Sequence, residues 1–377
     1  MPAVRRLLVS AKEDKRIASR IKGVVASLIR TEAKYDVAIE TALGASQQNV
    51  VTADTEDAKY LIEYLKQTKS YGKFINQMDE SLYHRGNIEK VLIQSLYDDY
   101  TRLYRFADMQ QKEFLKIFMK RYEVDLIRYC LRIVFNHSNV PFDLNYKKPF
   151  FDKYSKIRID QLVTAKNIDH LVDYLKNTEY YAPLSRIRQS GASTLADYEL
   201  ALDLYYFSMM WKARKGNWNK KDQEMLTKEL GAKIDLLNLQ WIYRAKKYYH
   251  MLAPDIYTLL IPIQHKLSNQ EFKDLVEAPS VEEFTRRLNE TYYGKKYEFG
   301  EQVQMESVVN ECVEHILTIA YRNHPYSLAS IQQYLFLKEE ETYKITTALE
   351  CIRYGLSQRE TLQYLVRQQR RQGGNAS

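Results

Sequence analysis

The sequence predicts a mainly α protein: three helical-bundle repeats of about 110 residues around a pseudo-threefold axis, funnel-like, preceded by a small α/β segment. Three observations carry this expectation. Gly and Pro, 12 and 8 among 377 residues, make up about 5% of the chain against roughly 12% in average usage, so few positions break helices. A twenty-residue stretch recurs within the chain without a gap. Apolar residues fall at three- and four-residue steps along the long segments.

The recurrence fixes the period. Leu162–Tyr181 (LVTAKNIDHLVDYLKNTEYY) aligns with Leu275–Gly294 (LVEAPSVEEFTRRLNETYYG), pairing Leu162 with Leu275, Ala165 with Ala278, Leu171 with Phe284 and Leu175 with Leu288. An earlier copy, Leu61–Phe74 (LIEYLKQTKSYGKF), adds a third marker threonine, so Thr68, Thr178 and Thr291 stand 110 and 113 residues apart. A second marker is an acid leading an apolar stripe: Asp125, Asp235 and Glu341 in YEVDLIRYCLRIVF, AKIDLLNLQWIYRA and EEETYKITTALECI, at steps of 110 and 106. Val124, Ile127, Leu131 and Val134 in the first, and Ile345, Leu349 and Ile352 in the third, predict helices with one buried face. Ser280 with Glu283 and Ser357 with Glu360 have the spacing of helix-capping pairs. These markers divide the chain into an N-terminal segment, 1–60, and a triplicated domain, 61–377, with units at about 61–160, 161–272 and 273–377. Three units this large are expected to close around an axis, unlike short solenoid repeats that stack in one dimension, and to leave a central opening suited to something round or rod-like.

Composition limits the function classes. Three scattered cysteines, at 130, 312 and 351, exclude a disulfide framework and suit a reducing compartment. No apolar run approaches about 18 residues, the longest being Tyr257–Ile263, and no leader precedes a cleavage site, so the chain is expected neither to span a membrane nor to be secreted. The net charge of +8 comes from interleaved charges with one concentrated basic run, the tail RQQRRQGGNAS, read as a solubilising terminus. Tyrosine is abundant, 31 residues against 13 Phe, and it suits helix contacts and wet interfaces. The clusters YDDYTRLYRF, Tyr97–Phe106, and RAKKYYHM, Arg244–Met251, serve either core packing or contact with neighbours.

No catalytic constellation, metal site or cofactor site is expected. The seven histidines show no HExxH spacing, and no phosphate-binding glycine loop is present. SGAST, Ser190–Thr194, reads as a loop ending in a helix cap at Thr194, and the sequon at Asn136 carries no meaning in a chain that is not secreted. The acids Asp125, Asp235 and Glu341 have two readings. They form a buried triad lining the opening, or they follow from triplication alone, with Arg128, Asn238 and Lys344 pairing three residues on along the same helix.

From about Gln67 onward the chain resembles the AC39 family of V-type rotary ATPases, the C subunit in bacteria and archaea and the d subunit in eukaryotes. The resemblance rests on HRGNIEKVLIQSLYDDYTRLYRF, which contains Arg85 and Glu89, on KRYEVDLIRYCLRIVF, and above all on YSLASIQQYLFLKEEETYKITTALECIRYGLS. It implies a non-catalytic helical adaptor of a rotary motor for proton or sodium transport, peripheral on the cytoplasmic face. Such an adaptor sits between the membrane rotor ring and the central stalk and binds no nucleic acid. Asp125, Arg128, Asp235, Glu341, Arg85 and Glu89 are its candidate interaction residues. Gly23–Lys66 is similar to the first half of the hinge domain of chromosome-segregation (structural maintenance of chromosomes) proteins, with β-like GVVASLI and QNVVTA flanking a helix ended by Gly44. The two resemblances meet at LIEYLK. Val163 and Val276 each precede their marker threonine by 15 residues, whereas Val51 precedes Thr68 by 17, which predicts a seam, from a gene fusion or a misjoined reading frame. Residues 1 to about 55 are therefore expected to pack poorly on the helical units. The alternatives are a chromosome-associated protein whose basic surface contacts DNA through the hinge-like segment, and a helical scaffold without its motor.

Overall fold

The computed structural model describes residues 23–24, 50–51, 62–77, 85–136, 143–191, 194–297, 299, 305–353, 356, 361 and 365. The expected helix 34–44, the cap at Ser357, the basic tail and most of the segment 1–55 lie outside them. Within the hinge-like stretch, Gly23–Val24 (β1) pairs antiparallel with Val50–Val51 (β2), Gly23 facing Val51. Everything else described is helix and its connections.

The chain divides into two compact units, 1–101 with 335–367 and 102–334 with 368–377. In the first, a helical turn over 62–66 leads to α1 (Gly72–Ile75) and then to α2 (Arg85–Phe106). Ile62, Leu65, Tyr71 and Ile75 share a core with Ile88, Val91 and Leu92 of α2 and with Ile345 and Leu349 of α14 (Leu328–Arg353), the last long helix among the described residues.

The second unit begins with the end of α2 and α3 (Met109–Phe135), follows with the short helices α4 (Lys148–Tyr154), α5 (Ile159–Leu162), α6 (Ile168–Tyr174) and α7 (Tyr181–Gln189), and reaches the long α8 (Leu195–Ala213). The pattern then repeats. The long α9 (Lys220–Lys247) is followed by the short α10 (Ala253–Leu259), α11 (Asn269–Val276) and α12 (Val281–Glu290), and then by α13 (Met305–Asn323). α3 packs along α8, and α9 along α13.

Local chemistry explains where these helices start. Asp108 caps α3 in a reciprocal box with Gln111, the Gln111 N–H donating to Asp108 Oδ1 at 2.8 Å and the Asp108 N–H to Gln111 Oε1 at 3.0 Å. Thr194 caps α8 in the same way with Asp197, as the loop reading of SGAST predicts. At α12 only half of the expected box forms. Ser280 accepts from the Glu283 N–H at 3.2 Å, while the Glu283 carboxylate turns to Arg286 and Arg287, which hold its pKa down at about 2. Two guanidiniums within reach outcompete one backbone donor. The stripe Val124, Ile127, Leu131 and Val134 of α3 is buried throughout.

Within the second unit a long helix, a set of short ones and another long helix follow one another twice, α3 through α8 and α9 through α13. In the first unit α14 lies against 62–77 and α2.

Candidate functional site

The marker threonine does the same work in all three copies of the motif. Thr68, Thr178 and Thr291 each donate their hydroxyl to the carbonyl three residues back, that of Leu65, Leu175 or Leu288, at 2.7, 2.8 and 2.7 Å. Each also accepts from an N–H ahead of it, that of Tyr71, Tyr180 or Gly294, at 3.2, 3.3 and 3.3 Å. One side chain thus satisfies a helix-end carbonyl and turns the chain. Gly72 and Gly294 permit the tight return: a Cβ there would stand 2.1 Å from the Lys66 carbonyl oxygen and 2.2 Å from that of Leu288.

The turn aims a tyrosine at a carboxylate on a long helix. Tyr71 donates to Glu341 Oε2 of α14 at 2.6 Å, Tyr180 to Glu123 Oε2 of α3 at 2.7 Å, and Tyr293 to Asp235 Oδ2 of α9 at 2.8 Å. All three tyrosines are buried. Burial, and next the neighbouring carboxylate, push the hydroxyls of Tyr180 and Tyr293 far above the ordinary phenol value, so they stay protonated and act as donors.

The three docks differ in how the carboxylate is compensated. Lys338, one turn before Glu341, donates to Glu341 Oε2 at 2.9 Å and to the Tyr71 oxygen at 2.6 Å, with its ammonium 4.0 Å from the ring centroid. Lys120 stands in the same relation to Glu123, at 2.9 Å, and also pairs with Glu179 at 2.5 Å. Burial alone would lower the Lys120 pKa, but Glu123 and Glu179 together raise it. Ser155 supplies Glu123 with a further donor. The third dock has Ala232 where the others have lysine. Asp235 instead receives the backbone N–H groups of His265 and Lys266 at 3.0 and 2.7 Å, and burial still leaves its pKa raised.

The acid of the second dock is Glu123, so of the three matched acids only Asp235 and Glu341 take part in a dock. Two residues along a helix turn a side chain by about 200°, so Asp125 faces solvent, where Arg128 pairs with it at 3.3 Å and with Asp203 of α8. Arg128 thus pairs with Asp125 as expected, whereas Asn238 does not pair with Asp235. It bridges to Ile261, donating to the carbonyl and accepting from the N–H, both at 2.9 Å. Arg85 opens α2 and Glu89 is half-buried one turn later, while the dock of their bundle is formed by Tyr71, Lys338 and Glu341. The signal that identifies Glu123 is present in the sequence: Lys120 and Glu123 have the spacing of Lys338 and Glu341.

These pairs hold helices together and offer no activated nucleophile or acid–base couple. Cys130, Cys312 and Cys351 are buried, and burial pushes the Cys130 thiol up to about 12. Among the described residues no cluster of three His, Cys, Asp or Glu could hold a metal ion, and no helix is long and apolar enough to cross a membrane.

Fold and docks together define an α-helical repeat protein whose recurring polar contacts lock short helices onto long ones. The chain belongs to the ATP synthase (C/AC39) subunit family, whose sequence model matches residues 48–364. It is similar to the C subunit of the A-type ATP synthase of Thermococcus kodakarensis, 26% identical over 350 residues that cover 90% of this chain and 86% of the relative. It is also similar to the corresponding C subunit of the A-type ATP synthase of Methanocaldococcus jannaschii, 24% identical over 237 residues, or 62% and 58% of the two chains. Residues 18–77 match the flexible hinge domain of SMC proteins, and 53 residues are 57% identical to the chromosome partition protein Smc of Bacillus subtilis, covering 14% of this chain and 4% of that protein. The two family matches overlap at 48–77, which contains LIEYLK.

Proposed function

We propose that the chain is the non-catalytic adaptor of a rotary ATPase, joining the central stalk to the rotor ring on the cytoplasmic face of the membrane, so that rotation couples ATP turnover to proton or sodium movement. The single observation that supports this most is the recurrence of one dock three times. Torque passes through an adaptor only if its parts do not yield, and a tyrosine–carboxylate hydrogen bond, buried at Tyr180 and Tyr293 and part-buried at Tyr71, resists sliding of a short segment along a long helix in each copy.

On this reading the repeats surround a common axis, with the stalk end received at the centre. What supports closure is the first dock, where the start of the helical domain is held by the last long helix and not by a preceding one. Asp235, Glu341, Arg85, Glu89, Asp125 and Arg128 remain the residues proposed for contact or support, with Glu123 added. Of these, Asp125 is exposed and Arg128 partly so, which suits them to meeting a partner.

The test is co-purification from the source cell. The proposal expects this chain in stoichiometric amount with the stalk and rotor-ring components; an intact ion-translocating complex isolated without it would reject the proposal. The DNA-binding alternative draws its support from residues 18–77 alone.

A further inference from the structure

The turn between α2 and α3 carries two large apolar side chains that almost nothing in the protein covers: Phe106 is 81% exposed and Met109 is 84% exposed. Between them Ala107 is buried and Asp108 is committed to its helix cap, so the turn is well anchored while its two apolar side chains stand free. Gln110 ties it to a second turn, between α8 and α9, by donating to the Asn217 carbonyl at 3.0 Å. That second turn is also rigid. Trp218 donates to the Ala213 carbonyl at 2.8 Å, Arg214 stacks 3.5 Å from the Trp211 ring, and Gln223 donates to the Gly216 and Trp218 carbonyls at 3.3 and 3.1 Å.

Charge around this pair of turns is one-sided. Arg105, Lys112, Lys212, Arg214 and Lys215 lie within 105–112 and 212–217, against the single acid Asp108. Arg105 and Lys112 sit over the rings of Phe106 and Tyr104 at 5.6 and 5.9 Å, which leaves their charge beside apolar surface. Exposed apolar side chains on a turn whose neighbouring residues are mostly cationic are complementary to a layer that is negative outside and apolar a few ångströms deeper.

We propose that the paired turns 105–109 and 212–217 form a peripheral lipid-binding tip that rests on an anionic membrane surface, Phe106 and Met109 entering the headgroup layer and the basic side chains meeting lipid phosphates. A protein partner fits less well. A stable protein interface buries about 800 Å² on each side around a packed centre, and two free-standing side chains on a short turn do not make such a centre, whereas a fluid headgroup layer closes around them. This inference goes beyond the adaptor reading and is tested on the isolated full chain, so either can fail without the other.

The experiment is sedimentation of the full chain with vesicles of phosphatidylcholine alone or mixed with phosphatidylglycerol. Wild type is expected to bind only the anionic vesicles. The double variant Phe106→Ser with Met109→Ser keeps the net charge and is expected to bind at least about tenfold more weakly. Because both side chains are exposed, its thermal melt should match wild type. Met109→Cys carrying an environment-sensitive dye, with the three native cysteines buried, should shift to the blue on anionic vesicles. Equal binding by wild type and the double serine variant would reduce the tip to an undifferentiated basic surface and overturn the proposal. Absence of vesicle binding, or tip-dependent retention on polyglutamate in place of vesicles, would also overturn it, the latter in favour of an acidic protein partner.

Discussion

Tyr71 hydrogen-bonds Glu341 at 2.6 Å across 270 residues of sequence, so the first described helical segment is fastened to the last long helix. Glu341 is 40% exposed and shares its proton donors between Tyr71 and Lys338, which limits what the bond contributes. A double-mutant cycle of Tyr71→Phe and Glu341→Gln is expected to give a coupling of about 1 kcal/mol in chemical unfolding. Strict additivity would mean the two side chains do not hold one another.

The second dock is deeper, and the same truncation should cost more there. The Glu123 side chain is 2% exposed, so Tyr180→Phe leaves a buried carboxylate oxygen short of a donor, at about 1–3 kcal/mol. Melting of Tyr180→Phe and Tyr71→Phe side by side checks the order. Asp125→Asn, on the solvent side of the same helix, should change stability by less than about 0.5 kcal/mol.

Asp203 sets a pH dependence. Burial lifts its carboxyl to about 6 from an ordinary 3.8, with Asp125 and Glu199 adding to the rise and Arg128 opposing it. A carboxyl whose folded pKa lies above its unfolded value stabilises the fold fully below the unfolded pKa and loses that contribution as pH rises through the folded one. Stability from this group should therefore fall by at most about 3 kcal/mol between pH 4 and pH 7. Urea unfolding across that range measures it, and Asp203→Asn should remove that slope.

Gly294 tests the tight return after the third marker threonine. A Cβ there meets the Leu288 carbonyl oxygen at 2.2 Å, with Asn289 backbone close behind. Backbone does not yield as a flexible side chain does, so Gly294→Ala should destabilise by about 1–3 kcal/mol. Gly191 is a useful contrast. Its φ of +79° strains any Cβ-bearing residue, but nothing lies within 4 Å, so Gly191→Ala should cost only about 1 kcal/mol. Equal costs at the two sites would contradict the steric account.

Much of this architecture was legible in the sequence because its causes are local. The threonine markers, the capping of α8 at Thr194 and the buried stripe of α3 depend on neighbours three or four residues away, which a sequence displays directly. Which long helix holds the segment 62–77 was not legible, because no local spacing relates Tyr71 to Glu341, 270 residues further on. Alignment of acids to apolar stripes picks out Asp125 and is blind to Glu123, because that pattern tolerates a slip of two. The lysine one turn before Glu123 and Glu341 resolves the slip, and its replacement by Ala232 in the third copy hides that rule. Exposure of aromatic clusters was not legible either. Tyr97 and Tyr100 are buried, whereas Phe106 of the same run is free and Tyr248 and Tyr249 are 62% and 72% exposed, differences set by which surface a neighbouring helix happens to cover.

The most direct measurement of the adaptor role is coupling in the reconstituted rotary complex with and without this chain. The account predicts that ATP hydrolysis drives ion movement only when the chain is present, and that without it hydrolysis continues while ion movement stops and the ring separates from the stalk. Undiminished ATP-driven ion movement in its absence would contradict the account.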